Sequence, residues 1–195
     1  MSGSVAGDDG RLRCPWALSA PEYVDYHDEE WGRPVRDDRA MFERLTLEAF
    51  QSGLSWLVIL RKRDGFRKAF ADFDLAAVAA YDGSDVERLL ADPGIVRNRA
   101  KIEAAIANAR AALELDGGLL AHVHGFAPAT RVDPPRTLSE VRAQSDESKA
   151  LAKDLRKRGF RFVGPTTLYA LMQATGIVDD HLADCWRRTY PQPPR

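Results

Sequence analysis

Apolar side chains recur along this chain at intervals of three and four residues, and no stretch alternates cleanly with period two. That spacing gathers side chains on one face of an α-helix, whereas a half-buried strand needs alternation. The pattern predicts an all-α fold. A chain of 195 residues buries roughly 70% of its unfolded surface, enough for one domain or two small lobes without a disulfide scaffold. Its longest apolar runs, such as Leu57 to Leu60, fall far short of the ~20 residues that span a bilayer. The opening MSGSVAGDDG lacks the basic start and apolar stretch of an export signal. It reads as a floppy tail, and a cytoplasmic protein with no membrane partner is expected.

Start and stop signals divide the chain into helices. Ser19 with Glu22, Ser84 with Glu87 and Thr137 with Glu140 match the capping box, where a hydroxyl and a carboxylate satisfy orphan amides of the first turn. Gly32, Gly53, Gly159 and Gly176 stand where helices should stop. Helices are expected near 20–31, 39–52, 55–63, 74–81, 85–91, 98–115, 137–143, 146–158, 165–175 and 180–188. Ile102, Ile106, Ala109 and Leu113 form the stripe of a helix lying on a core. Gly117 to Pro135, with its GG, PAT and DPP, reads as a surface loop or lobe crossing, and the final YPQPPR as extended.

Cys14 and Cys185 lie near opposite ends of the chain, and each has a histidine nearby, His27 and His181. His181 and Cys185 are four apart on an expected helix, so they project from one face as two metal ligands would. Folding alone can bring the four together as a tetrahedral site. Two reduced buried cysteines are the alternative. His122 and His124, in the long loop without a cysteine, read as solvated histidines.

LEAFQSGLSW places Glu48 and Gln51 on one helix face just before a Gly-Leu-Ser-Trp turn, with Trp16, Tyr23, Tyr26 and Trp31 upstream. Aromatic faces attract cations and stack on flat bases, but such a cluster is also ordinary core. Further on, Lys149, Lys153, Arg156, Lys157, Arg158 and Arg161 face only Asp154, six cations against one anion, in a chain of net charge -1. A helix ending at Gly159 and another opening at Gly164-Pro165 make a helix-hairpin-helix. Its glycine, its fresh helix N-terminus and the hydroxyls of Thr166 and Thr167 form a phosphate seat, unless the segment is a solvated basic helix beside a turn. Arg97, Arg99 and Lys101 are the next basic candidates.

RCPW, YHDEEWG, LEAFQSGLSW, GIVRNRAKI, KRGFRFVGPTT, LYALMQATG and DDHLADC follow one another in this order. Together they closely resemble the Tag family of bacterial 3-methyladenine DNA glycosylases, from about Arg13 to Cys185. The resemblance implies an all-helical member of the helix-hairpin-helix glycosylase superfamily, with helical lobes around a base pocket. It implies one glycosylase domain over 13–188, with the hairpin motif near 148–175, between a disordered tail at 1–12 and an extended one at 189–195. Cys14, His27, His181 and Cys185 match the family's zinc ligands one for one. One structural Zn2+ joining the termini follows, because four protein ligands leave no position for water.

Glu48 matches the carboxylate that recognises the methylated base and is the expected catalytic residue. Trp56 and Tyr26 match the stacking aromatics, and Trp16 and Tyr23 fall in the same pocket region. Phe50 is expected to shape the pocket floor. Leu54 is the candidate wedge for the space a flipped base vacates, and Arg158, Arg161, Gly164 and Thr166 are the candidate DNA contacts. The implied partner is double-stranded DNA containing alkylated adenine, bound by a monomer, with release of free 3-methyladenine and an abasic site left behind. Bifunctional relatives carry a lysine early in the second hairpin helix, where this chain has Thr166, so no lyase activity is expected. Helix-hairpin-helix glycosylases commonly carry a catalytic aspartate shortly after the motif, which the Tag family lacks; Asp179 and Asp180 stand in that neighbourhood, and Asp180 is expected to cap or to support a ligand and not to act as base.

Two other classes compete. A non-catalytic DNA-binding module would use the basic hairpin and the metal staple, but would have no need for Glu48 among aromatics. A zinc hydrolase would need metal-bound water, which four protein ligands exclude.

Overall fold

A computed structural model describes residues 3–130 and 133–189, the last by its backbone alone. Nine α-helices form among the described residues: α1 (Pro21–Glu29), α2 (Asp38–Gln51), α3 (Trp56–Ala69), α4 (Leu75–Ala79), α5 (Gly83–Ala91), α6 (Arg99–Leu113), α7 (Gly118–His124), α8 (Asp146–Lys157) and α9 (Pro165–Ala174). No helix among them is long and apolar enough to cross a membrane. The only sheet among the described residues pairs β1 (Val5–Ala6) with β2 (Leu12–Arg13), antiparallel.

Helix α2 is the centre of the molecule. From Leu45 to Phe50 every residue is buried, so this helix has no polar face in its second half and must be covered on all sides. Helices α3, α6, α7 and α9 supply the cover, while α4 lies on α6 and α8 on α9. Phe42, Phe50, Phe66, Phe70 and Phe73 fill the middle, with Phe50 and Phe66 ring centroids 4.8 Å apart. Phe50 is thus a core residue packed against α3. Gly65, inside α3, allows a helix-to-loop approach so close that a Cβ would fall 2.2 Å from the Gly94 carbonyl oxygen. Helix α3 runs six residues past the end expected from the sequence, at Ala69.

Most expected helices form, and the four expected stops all have positive φ, from +71° at Gly176 to +90° at Gly159. The departures have local causes. Ser19 does not cap α1: its hydroxyl donates to the Trp16 carbonyl at 2.7 Å, and Pro21 opens the helix after an uncapped Ala20. Asp82, not Ser84, caps α5, in a box with Asp85. The segment 137–143 makes only a 3-10 turn at Leu138–Glu140, and an unanticipated Ser145–Ser148 box heads α8.

The expected helix over 180–188 is absent except for a 3-10 turn, Trp186–Thr189. Its amides are claimed elsewhere: Leu182 N–H donates to Cys14 Sγ at 3.5 Å and Ala183 N–H to the Pro135 carbonyl at 2.8 Å. Within the expected loop, α7 forms behind two left-handed glycines, Gly117 and Gly118, burying Leu119 and Val123 one turn apart. The stripe on α6 holds through Ile102, Ile106 and Ala109, but Leu113, its last residue, is exposed beyond the core.

The amino-terminal segment is not the floppy tail expected. Residues 4–13 form the β1–β2 hairpin, and Ser4 Oγ donates to Asp184 at 2.6 Å, tying the start of the chain to its far end. Residues 1 and 2, and the extended tail from 190 on, lie outside the described residues.

Candidate active site and metal cluster

Glu48 sits on the fully covered half of α2 and is 6% exposed. Among the described residues no group hydrogen-bonds its carboxyl. Burial pushes it up to about 8, and Arg44, one turn earlier on the same helix, draws it part of the way back. Arg44 is itself ion-paired to Glu30, which Arg63 also holds, through a 2.6 Å bond from its Nη1. Burial therefore favours the protonated carboxyl, at the edge of a half-buried network of opposite charges.

Trp16, Tyr23, Tyr26 and Trp56 pack as one cluster of rings. Tyr26 is buried, and its ring centroid lies 5.4 Å from that of Trp56, the first residue of α3. Burial and the neighbouring Glu48 push its phenol above the usual range. Trp16 meets Tyr23 edge-on at 5.9 Å and Tyr26 at 6.3 Å. Tyr23 also supports the backbone. Its hydroxyl accepts the Leu57 amide at 2.9 Å, satisfying the first turn of α3, whose Ser55 makes no side-chain cap. Between α2 and α3 the chain turns at Gly53, whose φ of +79° disfavours any side chain, and exposes Leu54. Gln51 closes that turn by donating its amide to the Leu54 carbonyl at 2.8 Å.

Trp16 also meets the ring of His27 at 5.3 Å, which links the aromatic cluster to the second cluster. Cys14, His27, His181 and Cys185 are all buried, with one ligand atom from each within 4.8 Å of the others. Cys185 Sγ lies 3.4 Å from His27 Nε2 and 3.6 Å from His181 Nδ1, and Cys14 Sγ lies 3.8 Å from His181 Nδ1. A tetrahedral ion with metal–sulfur and metal–nitrogen bonds of usual length spaces its S and N ligands about 3.5 Å apart. The outer nitrogens are engaged as metal-bound imidazoles require: His27 Nδ1 is 2.8 Å from Asp28 Oδ1, and His181 Nε2 is 3.3 Å from the Trp31 carbonyl. Asp28 is in turn gripped by Arg13, with Nη2 to Oδ2 at 2.7 Å. The donor set and its supports fit a metal ion.

Asp180 does not support a ligand. Its carboxylate accepts from Tyr169 and Gln173 of α9, both at 2.8 Å, while Asp179 accepts the His181 amide and pairs with Arg188. Helices α8 and α9 are joined by residues 158–164. Arg158 is tied to Asp154 at 2.8 Å, and so is His122, which is a mostly buried partner of α8 and not a solvated loop residue. Arg161 is exposed and has no ion pair among the described residues; its backbone is held by Asn108 of α6, which donates to its carbonyl at 3.0 Å and accepts its amide at 2.7 Å. Asn108, 1% exposed, is a positioning residue that no sequence signal marked. Gly164 precedes Pro165 with an ordinary φ of -76°, and Thr166 is exposed on the first turn of α9. A Cβ at Gly164 would meet nothing closer than 3.7 Å, so no contact within the chain demands glycine at this position.

The helical fold thus holds one buried carboxyl next to Tyr26, whose ring meets those of Trp16 and Trp56. The methyladenine glycosylase family model matches residues 16–188. The chain is 45% identical over 177 residues to DNA-3-methyladenine glycosylase 1 of Escherichia coli, covering 89% of this chain and 95% of that relative. It is 41% identical over 179 residues to DNA-3-methyladenine glycosylase of Haemophilus influenzae, covering 89% and 96%. A solved structure of the Staphylococcus aureus 3-methyladenine DNA glycosylase I, described as the basis of its 3-methyladenine recognition, matches with TM-score 0.87 at 34% identity, covering 92% of this chain and 98% of that one. This chain belongs to the methyladenine glycosylase family and is a hydrolase of N-glycosyl bonds.

Proposed function

We propose that this protein excises 3-methyladenine from double-stranded DNA as a monofunctional glycosylase, leaving an abasic site. The observation that carries this reading is the Glu48 carboxyl, buried among aromatic residues and without a hydrogen-bond partner among the described residues. A buried polar group left unpaired is costly, so the site is built for a partner that arrives. N3-methyladenine is cationic while attached to deoxyribose. Its charge favours the ionised form of Glu48 and the faces of Trp56, Tyr26 and Trp16, whereas neutral adenine gains neither. Glu48 gives up its proton as the cation binds, and in this low-dielectric site the pair attracts strongly. The base leaves as a neutral molecule, so little general-acid assistance is required, and water captures the oxocarbenium-like sugar.

To reach the site the nucleotide must leave the duplex, and a lesion that weakens pairing lowers that cost. Leu54 fills the vacated space. The 158–164 link acts as the hairpin of a helix-hairpin-helix: Arg161, Gly164 and the amides and hydroxyls of Thr166 and Thr167 hold phosphates, with Arg158 contributing once it is released from Asp154. Cys14, His27, His181 and Cys185 hold one Zn2+, which supplies no chemistry at the base and joins the first helix to the chain's last turn.

Incubating the protein with methylated duplex DNA and separating the released bases by chromatography tests this directly. Release of 3-methyladenine with 7-methylguanine retained is expected. No release, or equal release of both bases, overturns the reading.

A further inference from the structure

Lys101 is a charged side chain sunk in the core, 8% exposed, in the first turn of α6. It is unavailable for the phosphate contact that its basic neighbourhood suggested. Among the described residues its ammonium pairs with no carboxylate. Instead it donates to the Phe50 carbonyl at 2.9 Å and to the Ser52 carbonyl at 2.6 Å. Both belong to the end of α2, the helix of Glu48, whose last turn has no basic residue of its own. Terminal helix carbonyls lack amide partners and carry partial negative charge, so a cation from α6 satisfies them as a local lysine otherwise would. Burial holds the lysine below its ordinary range, which marks this placement as one that only those carbonyls offset.

The chain beyond these carbonyls is the turn that exposes Leu54. Gln51 fixes it from one side, accepting the Leu54 amide at 2.7 Å and donating to the Leu54 carbonyl. Lys101 fixes it from the other, through Ser52. A side chain that forces stacked bases apart must work against a few kcal/mol of stacking. A turn free to relax would yield before the bases did.

We propose that Lys101 is a positioning residue for base extrusion, stiffening the Ser52–Ser55 turn from beneath so that Leu54 can enter the duplex. This rests on Leu54 being the wedge, and the experiment separates the two ideas. Single-turnover excision is measured on a duplex with 3-methyladenine paired to thymine and on one where it faces an abasic-site analogue, alongside titration with free 3-methyladenine. Lys101→Met should lower the maximal rate on the paired duplex about ten- to a hundredfold, the loss of hydrogen bonds from a charged donor. The half-saturating protein concentration and the stoichiometry and affinity for free base should not change, and the defect should shrink opposite the abasic site. Lys101→Arg, which keeps the donors, should recover most of the rate, and Leu54→Ala should show the same contrast between duplexes. Full activity of Leu54→Ala on the paired duplex removes the wedge and the inference with it. With Leu54→Ala impaired, three outcomes for Lys101→Met overturn its role alone: a wild-type rate, an equal loss on both duplexes, or fewer base-binding sites per molecule, which would mark Lys101 as merely structural.

Discussion

Cys185 Sγ lies 3.4 Å from His27 Nε2, although 158 positions separate the two residues. Around that contact the structure gathers segments far apart in the chain: α1 through His27, the segment before it through Cys14, and the segment after α9 through His181 and Cys185. A metal held here would reinforce the ties that Ser4 to Asp184 and Leu182 to Cys14 already make between these segments.

Freshly purified protein should therefore contain about one equivalent of zinc. Because a site absent from the unfolded chain makes metal affinity part of folding stability, chelation should loosen both termini. Cys185→Ser should lower Tm by roughly 5–10 °C, a loss of a few kcal/mol for a chain of this size. Elemental analysis checks the first point and melting the second. Zinc below about a tenth of an equivalent would sink this account of the cluster.

The hairpin link makes a graded prediction about DNA affinity. Removing one phosphate-binding cation should reduce the slope of log affinity against log salt by about 0.9. Arg161→Gln should show that full change, because no carboxylate among the described residues competes for the side chain. Arg158→Gln should show less, because Asp154 already holds Arg158 at 2.8 Å. Base preference should be untouched in both. Slopes identical to wild type in both variants would move the DNA-binding face elsewhere.

The helices were legible where a glycine stop closed them, as for α2, α8 and α9, or where an apolar stripe ran along them, as for α6. They were illegible where tertiary partners claimed the backbone. The segment around His181 has helical spacing, yet Cys14 Sγ and the Pro135 carbonyl take its amides, and no local pattern encodes that. The same holds at the site. Glu48, its aromatic neighbours and the Cys/His cluster were marked by residue type and by resemblance. Asn108 was not, and Lys101 was marked only as a basic candidate for the DNA face, since an asparagine or lysine on an amphipathic helix reads as solvated until folding buries it against another element's carbonyls.

Glu48 also makes stability depend on pH. In the unfolded chain its carboxyl ionises near 4.5, whereas in the empty folded site it keeps its proton up to about 8. Between these values the folded state binds more protons, so the stability present below pH 4.5 is lost as pH rises toward 8. Glu48→Gln has no such loss. Its stability relative to wild type should grow across that window by on the order of 3–5 kcal/mol and then level off. Denaturant melts of both proteins at about pH 4, 6 and 8.5 check this; a difference that does not vary with pH would contradict it.

The central claim is that the Glu48 carboxyl recognises the methylated base, and titration of wild type and Glu48→Gln with 3-methyladenine, followed by melting of both, tests it most directly. Glutamine keeps the size and one acceptor oxygen but cannot hand the free base a proton, so it cannot form the carboxylate–cation pair that Glu48 forms. A charge-assisted hydrogen bond is worth roughly 1.5–3 kcal/mol, so affinity should fall about ten- to a hundredfold. Over the same measurement Tm at neutral pH should hold or rise. Wild-type affinity together with a much lower Tm would show that Glu48 is an internal polar anchor of α2 and would remove it from the active site.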